Sequence, residues 1–169
     1  MTKPAPSLFP NALSLTVASV PRSIEFYRQK LGFKLAECFP DKKRPCWANM
    51  VLQGQSLMLG ELPSLVEAKQ LGMGAEEIDL LKQDARAFAR GSIGIGAAYY
   101  LLVVDVDALA RRLKKKRVKL LTPPKDQFYG IRELRVADPD GYRLVFYQPV
   151  AHVCDGTCEH AAAGGKSDA

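Results

Sequence analysis

The stretch FYGIRELRVADPDGYRLVFYQ, residues 128–148, decides the fold. IRELRVA and YRLVFYQ are rich in β-branched and aromatic residues, and DPDG between them carries the residues of a tight turn. The stretch therefore reads as two strands of a hairpin. Upstream of it, AAYYLLVV reads as a strand and VKLL as another. Between them DVDALARRLKKK reads as a helix opened by Asp105, with Leu109 and Leu113 turned inward. The region after residue 96 is thus strand, helix and three strands.

The same order occurs earlier in the chain. From residue 12, ALSLTVA alternates and reads as a strand. In PRSIEFYRQKL, Ile24, Tyr27 and Leu31 fall at helical spacing, with Ser19 as a cap and Gly32 just past the end. FKLAEC, PCWANMV and SLMLG follow as three short strands, separated by the turns PDKKR and QGQ. The two copies lie about 85 residues apart, and GFKL (32–35) marks the same point as RVKL (117–120). Their residues agree poorly, so the repeat rests on element order.

Length and composition agree with a soluble globular domain. The chain has 169 residues, 47% hydrophobic and 25% charged, which suits one domain or one made of two similar halves. No apolar run approaches the ~20 residues of a membrane span. MTKPAPSLFP lacks the apolar core of a signal peptide, so the expected location is the cytoplasm, with reduced cysteines. This includes Cys38 and Cys46, which fall on adjacent predicted strands. The net charge of +6 comes largely from RRLKKKR (111–117), read as a solvated helix face rather than a nucleic-acid or membrane surface. Neither nucleic acid nor membrane is an expected partner.

These signals divide the chain into an N-terminal arm (1–10), a single domain (11–149) and a flexible C-terminal tail (150–169). The domain holds two βαβββ modules, 11–61 and 96–149, joined by an intermodule segment at 62–95. The segment is long for a connection and its middle is expected to be helical, as in a lid, an interface or a tether. GSIGIG near its end precedes a strand instead of opening a helix, which argues against phosphate binding.

FYGIRELRVADPDGYRLVFYQ, with SVPRSIEFYRQKLGFKL (19–35) and VVDVDALARRL (103–113), resembles the vicinal oxygen chelate superfamily. That superfamily includes glyoxalase I, extradiol dioxygenases, and fosfomycin and bleomycin resistance proteins. The resemblance covers roughly residues 11–149, and GIREL…DPDG is most similar to the bleomycin resistance branch. It implies an α+β fold in which two βαβββ modules form a curved, partly closed mixed sheet. It also implies a homodimer with a small-molecule ligand in the concavity.

In the superfamily's enzymes a divalent metal is held by His, Gln or Glu from the first and fourth strands of each module. Carried over, those positions fall at Ala12, Leu59, Tyr99 and Val145. Three cannot ligate a metal, and a neutral tyrosine is a poor donor. A shift of two residues reaches Ser14, Leu57, Leu101 and Arg143 or Tyr147, again without a cluster, and Glu61 is the lone carboxylate nearby. The expectation is a domain without the family metal and without another cofactor. No histidine lies inside the domain to act as a base, so no catalytic residue is assigned.

The resemblance then implies a concavity lined by Ser14, Thr16, Gln55, Leu57, Tyr99, Leu101, Arg143, Val145 and Tyr147, with Trp47 and Phe128 at its rim. Thr16, Gln55, Trp47, Tyr99, Phe128, Arg132, Arg143 and Tyr147 are the candidate ligand-binding residues. Trp47 reads equally as a core or dimer-contact aromatic, Tyr99 as a phenol filling the metal position, and Arg132 and Glu133 as side chains that face solvent or pair with neighbours. Bleomycin resistance proteins sequester a cationic drug without chemistry. This basic chain suits an aromatic or anionic ligand better. The alternative is a superfamily enzyme of lyase, dioxygenase or thiol transferase type, using no metal or an unfamiliar ligand set.

The tail carries HVCDGTCEH (152–160), the chain's two histidines around two of its four cysteines. His152, Cys154, Cys158 and His160 form a candidate Zn²⁺ site, although the spacing is not that of a common zinc module. Cys154 and Cys158 also read as a disulfide pair, or the stretch as an incidental tail. Four protein ligands would leave no open position for substrate, so the tail is not the expected active site.

Overall fold

The computed structural model describes residues 13–91 and 93–150. The arm, Ala12 and the tail, with its candidate Zn²⁺ ligands, lie outside the described residues. The first half runs β1 (Leu13–Thr16), α1 (Val20–Glu25, continued by a wider π-helical stretch at Phe26–Leu31), β2 (Lys34–Phe39), β3 (Trp47–Leu52) and β4 (Gln55–Gly60). The segment that follows holds α2 (Leu65–Gln70) and α3 (Ala75–Ala89). The second half runs β5 (Tyr99–Leu102), α4 (Val106–Lys115), β6 (Leu120–Asp126), β7 (Ile131–Ala137) and β8 (Arg143–Pro149). The expected α+β class and its βαβββ repeat are present as two four-stranded mixed sheets, ordered β1-β4-β3-β2 and β5-β8-β7-β6, which do not close on each other. In each, the first strand runs parallel to the fourth and the other pairs are antiparallel.

The repeat extends to single hydrogen bonds. Val17 N–H donates to the Gly60 carbonyl at 2.9 Å, and Val103 N–H to the Tyr147 carbonyl at 2.8 Å. Ser19 and Asp105 cap α1 and α4 through the N–H groups of Arg22 and Ala108. Gly32 (φ 88°) and Arg117 (φ 56°) both take the left-handed conformation where the helix gives way to a strand. At Gly32 glycine is needed twice over, because an added Cβ would also lie 2.9 Å from the Arg112 guanidinium. β2 and β6 are each interrupted by a bulge at the matching place, between Leu35 and Glu37 and between Leu120 and Thr122.

One hydrophobic core serves both halves. Leu15, Leu57, Leu59, Tyr27 and Leu31 from the first meet Leu101, Leu113, Leu134, Leu144 and Phe146 from the second. Each large side chain so buried contributes roughly 1.5–3 kcal/mol.

Polar contacts across the junction are concentrated on α1. The DPDG turn reaches its N-terminal end: Asp140 pairs with Arg22 and accepts from Ala18 N–H at 3.3 Å. At the other end, Arg112 donates to the Leu31 carbonyl at 2.6 Å, and the Lys116 ammonium donates to the Gln29 carbonyl. A carboxylate at a helix start and cations at its end both complement the helix dipole. Beneath them the Tyr27 hydroxyl donates to Asp138 at 3.0 Å, and the Tyr142 hydroxyl to the Thr16 carbonyl at 2.8 Å. Burial raises the Asp138 pKa, although Tyr27 and the N–H groups of Tyr142 and Asp140 hydrogen-bond its carboxylate.

The expected helical middle of the intermodule segment is α3. In the following glycine-rich turn Gly94 has φ 63°, and an added Cβ there would sit 2.8 Å from the Tyr142 ring. Gly94 is therefore a glycine because the turn passes over a tyrosine there.

Candidate functional site

Alternation along the strands leaves each sheet with one face on the core and one face open. On the second sheet Leu134, Val136, Leu144, Phe146, Leu101 and Val103 point into the core. Their alternates share the open face, and the strand register sets them in rows. Tyr100 stands beside Val145 and Val145 beside Arg135; Leu102 stands beside Tyr147 and Tyr147 beside Glu133. Arg143 is next along β8, paired with Ala137.

Side chains on this face cover its floor. Val145 is completely buried, while Tyr100 is 48% and Leu102 43% exposed. The Tyr100 and Tyr147 rings meet edge to face at 5.9 Å. Glu133 is only 1% exposed, and Arg135 donates to its Oε1 from Nε (3.1 Å) and Nη2 (2.8 Å). The Tyr129 hydroxyl donates to Oε2 at 3.2 Å. Burial and the neighbouring Tyr100 and Glu133 push the Tyr129 phenol up to about 12, so it stays protonated at neutral pH. The contact to Glu133 also raises the Arg135 pKa.

The open face of the first sheet is smaller in character. Ser14 and Thr16 lie beside Met58 and Gly60, which lie beside Asn49 and Trp47. The Trp47 ring extends over Gly60, where a Cβ would be 3.8 Å from Cδ1. Asn49, 3% exposed, accepts from Ser56 Oγ at 2.6 Å.

Gln55 bridges the sheets. Its Nε2 donates to the Leu102 carbonyl at 2.8 Å, and its Oε1 accepts from Leu102 N–H at 2.9 Å. β5 is an edge strand, so the side-chain amide supplies the partner that a neighbouring strand would have given.

The candidate residues from the sequence are thus divided. Thr16 and Trp47 share the first open face, and Arg143 and Tyr147 share the second, while Gln55 is engaged at the seam. Tyr99 turns to the other side of β5, packing on the core with its ring 6.0 Å from Tyr142. It still borders a groove of about 570 Å³ at the seam, together with Leu13, Gln55 and Tyr100. Arg132 also faces away from the open side: Asp107 and Asp126 hold it with bonds of 2.7–2.9 Å. Its hydrogen bonds pull the Asp107 carboxyl below the usual range. Phe128 is 92% exposed on the β6–β7 loop, edge to face with Tyr129 at 5.0 Å.

The expected lining is corrected in two strands. Leu57 and Leu59 of β4, and Leu101 of β5, belong to the core, and Met58 and Tyr100 take the open positions. Leu59, Tyr99 and Val145 therefore do not form a common floor. Sequence reasoning passed over Tyr100, Tyr129 and Arg135, and left Glu133 without a place. Counting alternate positions from Val145 through RELR would have found the last two.

Among the described residues no three His, Cys, Asp or Glu side chains come together in a metal-binding group. Glu61, the lone carboxylate near the expected position, instead accepts from Val20 N–H at 2.6 Å. Cys38 and Cys46 are free thiols. No helix among the described residues is long and apolar enough to cross a membrane.

Paired βαβββ modules with open sheet faces define a class of small-molecule-binding and metal-dependent proteins. The chain belongs to the Glyoxalase/Bleomycin resistance protein/Dioxygenase superfamily, whose family model matches residues 10–146. Solved structures with the same fold include TioX from Micromonospora sp. ML1, 17% identical over 83% of this chain and 96% of that one, with a TM-score of 0.58. TnmS3, an antibiotic binding protein from Streptomyces sp. CB03234, is 23% identical over 82% and 93%, with a TM-score of 0.56. A glyoxalase/bleomycin resistance protein from the same Streptomyces strain is 24% identical over 82% and 100%, with a TM-score of 0.55. No curated protein matches the chain.

Proposed function

We propose that this protein binds a small aromatic or anionic molecule on its open sheet faces and sequesters it without chemistry and without the superfamily's metal. The observation that carries the reading is the aromatic surface above the buried Val145, where the half-exposed Tyr100 meets Tyr147 edge to face. A divalent ion needs several converging N or O donors. The open positions offer Met58, Val145 and a phenol, and the buried carboxylate on this face, Glu133, already neutralises Arg135. An apolar, aromatic surface with a few fixed polar groups is instead the usual composition of a small-molecule site. TnmS3, described as an antibiotic binding protein, has the same fold, which favours sequestration of a natural product.

A cytoplasmic homodimer is part of the proposal. Tyr100 and Leu102 are left half exposed by their own chain, and a second copy's sheet would enclose a ligand against them.

Titrating aromatic antibiotics against the purified chain, with and without EDTA, tests the reading. The expected result is saturable binding that ignores EDTA, with the ligand recovered unchanged by mass spectrometry. The same result is expected after deletion of residues 151–169. Chelator-sensitive turnover of a glyoxalase-type substrate would replace sequestration with catalysis.

A further inference from the structure

The geometry points to a more specific ligand on the second sheet: a planar aromatic acid, its carboxylate or sulfonate received by Arg135 and Arg143 and its ring lying against Tyr100 and Tyr147. The inference rests on the binding reading above and narrows it.

Arg135 and Arg143 stand diagonally on the open face, because Val145 is the partner of Arg135 and Ala137 the partner of Arg143. Diagonal neighbours on one face are roughly 7–8 Å apart, within reach of one bound group for long side chains. Glu133 engages Nε and Nη2 of Arg135 and leaves Nη1 without a hydrogen-bond partner among the described residues, on a side chain 41% exposed. The guanidinium is therefore held in orientation with one donor group still available.

Arg143 is exposed and makes no ion pair among the described residues. Glu133 offsets one of the two cations and is itself sealed from solvent, so the accessible charge on this face is positive. Arg132, one residue from Glu133 on the opposite face, is held by Asp107 and Asp126 and takes no part in this surface. A ring bearing an acidic group would satisfy both kinds of surface at once.

The test compares 2-naphthoate with 2-naphthol, which is neutral at pH 7, in calorimetric titrations of the full chain. Naphthoate is expected to bind at least about tenfold more tightly, with the preference shrinking as salt is added. Arg143→Gln should reduce that preference several-fold by weakening naphthoate more than naphthol. Arg135→Gln alone strands a buried carboxylate and risks the fold. The double variant Glu133→Gln/Arg135→Gln removes the pair together and should also lower the preference. Equal affinity for the two probes, or a preference untouched by both variants, would overturn the aromatic-acid inference and leave the broader binding reading standing. Failure of both probes and of the antibiotic titrations would remove the two together.

Discussion

Glu61 and Gln148 hold the same place in the two halves: each side-chain oxygen accepts the N–H of the first helical residue, Val20 or Val106, at 2.6 Å. The last residues of a sheet thereby anchor the start of the helix packed on it. Glu61→Leu and Gln148→Leu should each destabilise the fold by about 1–2 kcal/mol, the usual loss of a helix-capping partner, in urea unfolding at constant m-value.

Asp138 sets a dependence on acid. Its folded pKa is raised by burial, so the native state holds this proton more tightly than the unfolded chain does. Its contribution to stability is therefore greatest below the unfolded value and declines as pH rises through the folded one. The stability difference between wild type and Asp138→Asn should grow in favour of wild type as pH falls from 7 toward 4. A pH-independent difference in urea melts would contradict the assignment.

Gln55→Leu should expose the edge of β5. Leu102 would lose both partners of its N–H and carbonyl, at about 1–3 kcal/mol if they stay dry. Native-state hydrogen exchange at the Leu102 amide should accelerate before global stability changes appreciably.

On the open faces, Tyr100→Ala and Tyr147→Ala should each weaken an aromatic ligand two- to tenfold, following stacking contributions of about 0.5–1.5 kcal/mol. Trp47→Ala should do the same for a ligand that spans both faces. Tyr99→Ala should lower stability with the smaller effect on affinity, because its ring packs on the core side beside Tyr142. Comparing affinity with melting temperature for the four variants separates the two roles.

The hairpin around DPDG, the two helices and the offset between the halves were all legible in the sequence, because turn residues, caps and helical spacing are local signals. The same alternation gave the correct side for Ser14 and Thr16 on β1 and for Arg143, Val145 and Tyr147 on β8. It failed on β4 and β5. SLMLG and AAYYLLVV are apolar at nearly every position, so nothing in them marks which alternate set faces inward, and a shift of one residue reverses both faces. The burial of Glu133, as distinct from its face, was illegible for another reason. A buried carboxylate is unusual, and only the register that sets Arg135 and Tyr129 around it makes the burial tolerable.

The contacts on α1 give the duplication a direction. Its start receives Asp140 and its end receives Arg112 and Lys116, all from the second half. In return, among the described residues, the first half gives the end of α4 the Lys30 ammonium, on the Lys116 carbonyl at 3.0 Å. α4 otherwise begins on Asp105 and Gln148, both its own. Two copies of one pattern have thus become unequal parts, a dependent and a provider. A chain assembled from two first halves would keep the Ser19 and Glu61 caps at its helix starts but lose Asp140, Arg112 and Lys116, the charges that now answer both ends of α1.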